Sequence, residues 1–201
     1  AEGIPYGLWY NDFYIPAFDT LEATTGFNLW KRPFFSRIRY FYLYCTSPLA
    51  RIRPFGDSAE GGGPNSSGRT PFIKLMDYHS QRFQDGSTAW WVSQVPLSDE
   101  SKDMNSAIFK KEVTPAPPVD LPHSKVFRGV GWAGLHSDLS DPANDTFMLF
   151  KSSPYGSVSH SHADQNAFAI FKGGVALAIP SGYYGPSYGM PHHAEWTRST
   201  K

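Results

Sequence analysis

The chain has 201 residues, 18 of them basic and 18 acidic, so its formal net charge is zero. That balance excludes duplex nucleic acid and anionic lipid as default partners, because their binders carry a basic excess. An anionic substrate stays open, since a few cations gathered in one cleft can bind it without moving the total.

Six Trp, eleven Tyr and fifteen Phe supply a core. They also lean towards glycans, whose flat C–H faces stack on aromatic rings. Cys45 is the only cysteine, which excludes an intrachain disulfide and a multi-cysteine metal site. The sequence contains no apolar run long enough to span a membrane. It opens Ala1-Glu2-Gly3 and stops at Lys201 in a motif-dense stretch. Both ends therefore read as cut, with any secretory signal lost upstream.

The first hundred residues read as mostly helical with long loops. Tyr6, Tyr10 and Tyr14 share one face if the amino terminus is helical. Each is by itself more often a packing residue than a proton donor, since a tyrosine near pKa ~10 needs neighbouring positive charge to serve as one. Pro16 suits the first turn of a short helix carrying Phe18 and Leu21, with Gly26 ending it. From Phe34 to Leu43 the apolar pattern fits helix and strand equally. The run DSAEGGGPNSSG from Asp57 to Gly68 is a loop. Thr70 and Pro71 start the clearest helix, whose apolar face holds Phe72, Leu75, Met76, His79 and Phe83, with Gly86 as its stop. His79 on that face is expected to be a hydrogen-bonded core histidine.

The segment PAPPVDLP, Pro115 to Pro122, favours extended backbone and marks a boundary. Beyond it the pattern turns to strands over Lys125–His136, Thr146–Lys151 and Asn166–Ile179, with Gly173-Gly174 as a hairpin turn. Helices followed by strands, with no sequence repeat and no alternation of the two, give an α+β multidomain class.

Two segments carry the chemistry. In SVSHSHADQN, Ser157 to Asn166, His160 and His162 are two apart and point to one side on extended backbone. Such a pair can hold a metal ion, or it can divide metal binding and substrate contact between its members. Asp164 continues the alternation, and Asn166 adds an amide for a carboxylate or hydroxyl. The bland alternative is a polar loop with a hydrogen-bonded histidine pair. The second segment, SGYYGPSYGMPHHAEWTRST from Ser181 to Thr200, gathers Tyr183, Tyr184, Tyr188, His192, His193, Trp196 and Arg198. Stacking, acid–base and anion-pairing groups thus share one Gly/Pro-rich stretch, although an aromatic loop packed on a neighbouring domain would look the same.

The run KSSPYGSVSHSHADQN (Lys151 to Asn166), then AIFKGG, AIPSGYY and PHHAEWTRST, resembles the heparinase II/III-type domain of polysaccharide lyases. The likeness is strongest to oligoalginate lyases and their exo-acting heparin lyase relatives. Glu2-Gly3 with Tyr6, and Phe55-Gly56-Asp57-Ser58, resemble the helical domain of the same group.

The resemblance implies the end of an (α/α) toroid over 1–105, a linker at 106–123, and the start of an antiparallel β-sandwich over 124–201. It also implies β-elimination on a uronic-acid-containing glycan. A base removes the C5 proton, an acid protonates the departing glycosidic oxygen, and Asn, His or Arg groups neutralise the carboxylate. One such Asn/His pair is expected upstream of residue 1. Carried over, Tyr6, His160 and Tyr188 are the catalytic candidates. Tyr10, Asn166, Tyr184, His192, His193 and Arg198 are the substrate-binding candidates, and His162 matches a structural zinc ligand. The chemistry requires no cofactor. A structural zinc occurs in the group, yet an aspartate ligand expected before Ser-Gly-Tyr-Tyr is here Pro180. The expected partner is an anionic uronate oligosaccharide or polysaccharide, with oligoalginate leading and heparin or heparan sulfate the alternative. The implied location is periplasmic or secreted in a bacterium, with the cytoplasm the alternative.

Two rival readings come from different classes. The pattern HxHxD also resembles the HxHxDH signature of metallo-β-lactamase-like hydrolases, but Gln165 stands where the last histidine belongs. A non-catalytic glycan-binding module explains the aromatics and strands, though not the concentration of His, Tyr and Arg in two segments. Glycoside hydrolysis needs two carboxylates flanking the bond, and nothing pairs Glu2, Asp164 or Glu195.

Overall fold

The computed structural model describes residues 4–50, 55, 70–95, 111–154, 164–180 and 191, with the side chains of 5–12 and 70–72 outside that description. Its helical part consists of α1 (Ile4–Thr25), a short 3-10 turn (Leu29–Lys31), α2 (Pro33–Cys45), α3 (Thr70–Phe83) and α4 (Gly86–Ser93). The strands β1 (Ser124–Phe127), β2 (Trp132–His136), β3 (Thr146–Lys151), β4 (Ala167–Lys172) and β5 (Val175–Ala178) follow. They form one antiparallel meander in sequence order.

Pro16 does not begin a short helix; it lies inside the long α1. An internal proline costs about 3 kcal/mol, and packing on either side of it overrides that cost. Tyr14 stacks on Phe18 at 5.6 Å, and Phe18 meets Phe35 and Trp30 edge-on at 4.7 and 5.2 Å. Tyr14 is thus a packing residue. Gly26 ends the helix as expected, at φ +73°, where a residue with a side chain would be strained.

The ambiguous stretch after Phe34 is helix. Pro33 sits at its start, and Tyr42, Leu43, Tyr44 and Cys45 are all buried. A turn buried on every side has no polar face to reveal its period, which is why the apolar pattern could not decide it.

Gly86 is not the stop of α3. Gln84 breaks the helix at φ +50°, and Asp85 caps α4 by accepting from the backbone N–H groups of Ser87 and Thr88. Gly86 is needed for a close approach instead. Ala116 N–H donates to Gly86 O at 3.0 Å, and a Cβ on Gly86 would meet Ala116 Cβ at 2.9 Å. The same Asp85 carboxylate receives the Arg39 guanidinium, tying α2 to α4.

Lys125–His136 is two strands of a hairpin, separated by a turn in which Gly131 adopts φ +69°. Thr146–Lys151 is one strand as expected, and Gly173-Gly174 is the turn of the last hairpin, at φ +52° and +79°. The inner face of the sheet carries Trp132, Phe147, Leu149, Ala169 and Phe171, which join Tyr42, Leu43, Tyr44 and Trp90 in one core. The opposite face is apolar and exposed at Val126, Phe168, Val175 and Leu177.

His79 is in the core but is not hydrogen-bonded. It is fully buried among Trp30, Tyr78 and Phe83, and neither ring nitrogen has a partner. Burial, and then the nearby Arg39 charge, push its pKa down to about 3. The unfolded value is ~6.5. The stability that neutral His79 contributes is therefore present above about pH 6.5 and lost as pH falls towards 3. A His79→Phe change removes two orphaned polar atoms and should stabilise the chain by about 1 kcal/mol or more. Urea titrations at pH 7 and pH 4 should show a smaller acid loss for the variant than for the wild type. An equal loss would mean that His79 does not carry this pH dependence.

Candidate active site

The described part of the candidate site is the end of the sheet where β3 leaves and β4 begins. Strand alternation places Phe147, Leu149 and position 151 on the inner face, so Lys151 enters the core although it is charged. Its side chain is 3% exposed and forms an ion pair with Asp164, whose side chain is 6% exposed. The ammonium lies 5.6 Å from the Phe55 ring centre and 6.0 Å from that of Trp132, where the ring faces favour a cation.

Further contacts close the base of the 152–166 segment. Ser152 N–H donates to Gly131 O at 2.7 Å. The Ser152 hydroxyl donates to Asn166 Oδ1 at 2.9 Å, and Ser153 N–H donates to Gln165 Oε1. Gly131 has no side chain because its Cα lies against Ser152 and Ser153. Asn166 adopts φ +57°, a left-handed conformation that asparagine tolerates. Its side chain is exposed and its Nδ2 donors are unengaged among the described residues, so they are available to a carboxylate or hydroxyl.

At the opposite end of β2 and β3, a second polar cluster joins strands to helices. His136 Nδ1 lies 2.6 Å from Asp145 Oδ2 and its Nε2 lies 3.1 Å from Tyr44 O, the carbonyl near the end of α2. Acceptors thus flank the ring on both sides. Phe147 stacks on the imidazole at 4.5 Å. Burial alone would raise the Asp145 carboxyl. The hydrogen bonds from His136, the Asp138 backbone and Ser137 hold it below the ordinary carboxylate value instead. The neighbouring cavity, about 10 Å³ and lined by Thr46, Trp90, Pro118, His136 and Asp145, has room for a single water at most. It is a structural joint and takes no sugar.

Of the sequence candidates, Asn166 is placed at the sheet end described above. Tyr6 and Tyr10 lie on successive turns of α1, with their side chains outside the described residues. His160, His162, Tyr184, Tyr188, His192, His193 and Arg198 also lie outside them. Sequence reasoning named Asp164 but missed Lys151 and the pair His136–Asp145. The signal for Lys151 was present, as a lysine in phase with Phe147 and Leu149 in the strand TFMLFK.

Residues 119–201 match the family described as heparinase II/III-like, C-terminal. The match takes in the whole sheet and both motif-dense segments. By structure, the chain is similar to the heparan sulfate lyase HepC from Pedobacter heparinus, with a TM-score of 0.64 and 16% identity over 92% of this chain and 26% of that one. It is also similar to a heparinase III gene product, at 0.51 and 18% over 77% and 20%. The methylated-lysine form of that product gives 0.52 and 18% over 80% and 21%. At these identities the likeness shows a shared fold, helices followed by an antiparallel sheet. The chain spans about a quarter or less of the length of these structures. No curated protein matches it. The oligoalginate leaning of the motif finds no support in these matches.

Pro180 follows β5 and offers no ligand atom, so the residues present do not complete the zinc set that the resemblance implies. Among the described residues no group of three or more His, Cys, Asp or Glu is placed to hold a metal ion.

The Asp145 carboxylate contributes stability that is present above the ordinary carboxyl value of ~3.9 and lost as pH falls through its lower folded value. Replacing it with Ala leaves His136, Ser137 and Asp138 donors without an acceptor. The expected cost is about 3 kcal/mol, read as a lower urea midpoint at pH 7. A loss under about 1 kcal/mol would show that the cluster is not the joint described here.

Proposed function

We propose that this chain is part of a polysaccharide lyase that cleaves uronic-acid-containing glycans by β-elimination. The observation that supports this most is the heparinase II/III-like match over residues 119–201, which contains both histidine-bearing segments. The fold shared with a heparan sulfate lyase and a heparinase III product agrees with it. On this reading the five strands open an antiparallel sandwich, and the exposed apolar face of Val126, Phe168, Val175 and Leu177 packs under a second sheet. The helices belong to an (α/α) toroid.

The reaction needs a base, an acid and a site that accepts negative charge. Tyr6, His160 and Tyr188 are the proposed proton-transfer groups. The base takes the C5 proton, the electron pair left behind forms the C4–C5 double bond, and the acid protonates the departing glycosidic oxygen. Charge developing on the uronate carboxylate is stabilised by donors aimed at it. Asn166, through its Nδ2 donors, and Arg198 are the proposed donors. Tyr10, Tyr184, His192 and His193 line the sugar path, and His162 belongs to the same segment as His160. Heparan sulfate is at least as well supported as oligoalginate, because one structure of similar fold is by name a heparan sulfate lyase.

Ultraviolet absorbance of the unsaturated product tests the reading. The full-length protein, given heparan sulfate and alginate oligomers separately, should raise the absorbance on one of them. A Tyr6→Phe change should lower that rate at least ~100-fold, in the range of lost acid–base catalysis. A chelator should have little effect. No rise on either glycan would overturn both substrate assignments and favour a binding module.

A further inference from the structure

An asparagine that serves an anion must present the right end of its amide. Nδ2 donates and Oδ1 only accepts, so an amide turned the wrong way would set an oxygen against a carboxylate. A neighbour decides the matter at Asn166. The Ser152 hydroxyl donates to Asn166 Oδ1 at 2.9 Å, which turns the oxygen towards the end of β3. The Nδ2 hydrogens, at the other end of the planar group, are left to the exposed side of the residue.

Ser152 is itself held by its backbone. Its N–H donates to Gly131 O at 2.7 Å, and its carbonyl oxygen lies 2.1 Å from where a Cβ on Gly131 would stand. Glycine, at φ +69°, is what allows that seat. Asn166 is set from its own side by its left-handed backbone at φ +57°, directly before β4. With both backbones placed, the bond between hydroxyl and amide removes the rotation that would exchange the two ends.

Stability does not account for this bond. Both residues are exposed, where a neutral hydrogen bond replaces bonds to water and returns little. Backbone geometry does not account for it either. The left-handed conformation favours asparagine or glycine at 166 but asks for no hydroxyl at 152. Nor does a neighbouring negative charge claim the donors, since Asp164 is buried and paired with Lys151.

We propose that Ser152 is a positioning residue, which orients the Asn166 amide so that its donor end meets an anionic group of the substrate. This rests on the lyase reading above. Ser152 touches no substrate and acts only through Asn166.

The test uses the full-length protein and the glycan on which it is active. Ser152→Ala should lower kcat about tenfold and change KM less than about threefold, because a donor aimed at developing charge is felt mainly in the transition state. Its Tm should match that of the wild type. Ser152→Thr, which keeps the hydroxyl, should retain most of the wild-type kcat. In an Asn166→Ala background, Ser152→Ala should bring no further loss, since the residue it acts through is gone. Without any glycan, the NMR signals of the Asn166 side-chain NH2 group should move in S152A and stay in place in S152T. Wild-type kcat in S152A, or an equal further loss in the Asn166→Ala background, would overturn the proposal. Unmoved NH2 signals would overturn the orienting bond itself. A wild type inactive on every uronate glycan would instead sink the lyase reading, and the NH2 signals would still decide whether Ser152 orients Asn166.

Discussion

The last turn of α2 lies so close on β2 that the Tyr44 carbonyl occupies the space where a side chain at position 134 would begin. Only glycine permits that approach. The same carbonyl accepts the Nε2 proton of His136, two residues along the strand, and the Tyr44 hydroxyl donates to Pro122 O at 2.7 Å. Helix end, strand and the extended segment before the sheet therefore meet on one residue. A carbonyl near a helix C-terminus is short of intrahelical partners, so the histidine satisfies a group that burial would otherwise leave unpaired. The aromatic seam depends on this closeness. Phe41 meets Phe127 and Trp132 at 5.2 and 5.4 Å, and Phe55 meets Trp132 at 5.2 Å.

That seam also sets the electrostatic character of the interior. The helical part keeps its buried histidine neutral and unpartnered, whereas the sheet part surrounds its own with an acid and a carbonyl. The difference lies in what each helix or strand brings. On α3, His79 is packed by Trp30 and Phe83 and lies near the cation Arg39, none of which offers it an acceptor. The turn before β3 delivers Asp145 with donors on several sides, so its carboxylate is stabilised although buried. Two similar ring systems thus meet opposite surroundings, one without an acceptor and one between two.

What the sequence disclosed follows from how local each cause is. The Gly173-Gly174 turn, the strand Thr146–Lys151 and the stop at Gly26 depend on backbone preferences of a few residues, and all were legible. Pro16 misled because its local penalty is outweighed by ring contacts with Phe35 and Trp30, far along the chain. Gly86 misled because glycine serves both helix ends and close approach, and its partner Ala116 is thirty positions away. His79 was rightly placed in the core, but pattern alone cannot say whether a buried ring finds an acceptor. At the candidate site, the motif gave Asp164 and Asn166, while Lys151 needed the strand phase to be read through a charged residue.

The geometry of the sheet end suggests why a charged pair suits that position. A strand end packed only by apolar side chains can slide or rotate at little cost, because dispersion contacts are not directional. An ammonium held between Phe55 and Trp132 with one carboxylate partner has a single good arrangement, since every other leaves a charge unpaired in the core. The penalty that makes such a pair a poor stabiliser is the same one that makes it selective. The pair therefore fixes the end of β3 against Asp164, while the hydrogen bonds of Ser152 and Ser153 to Gly131, Asn166 and Gln165 tie the same strand end to its neighbours.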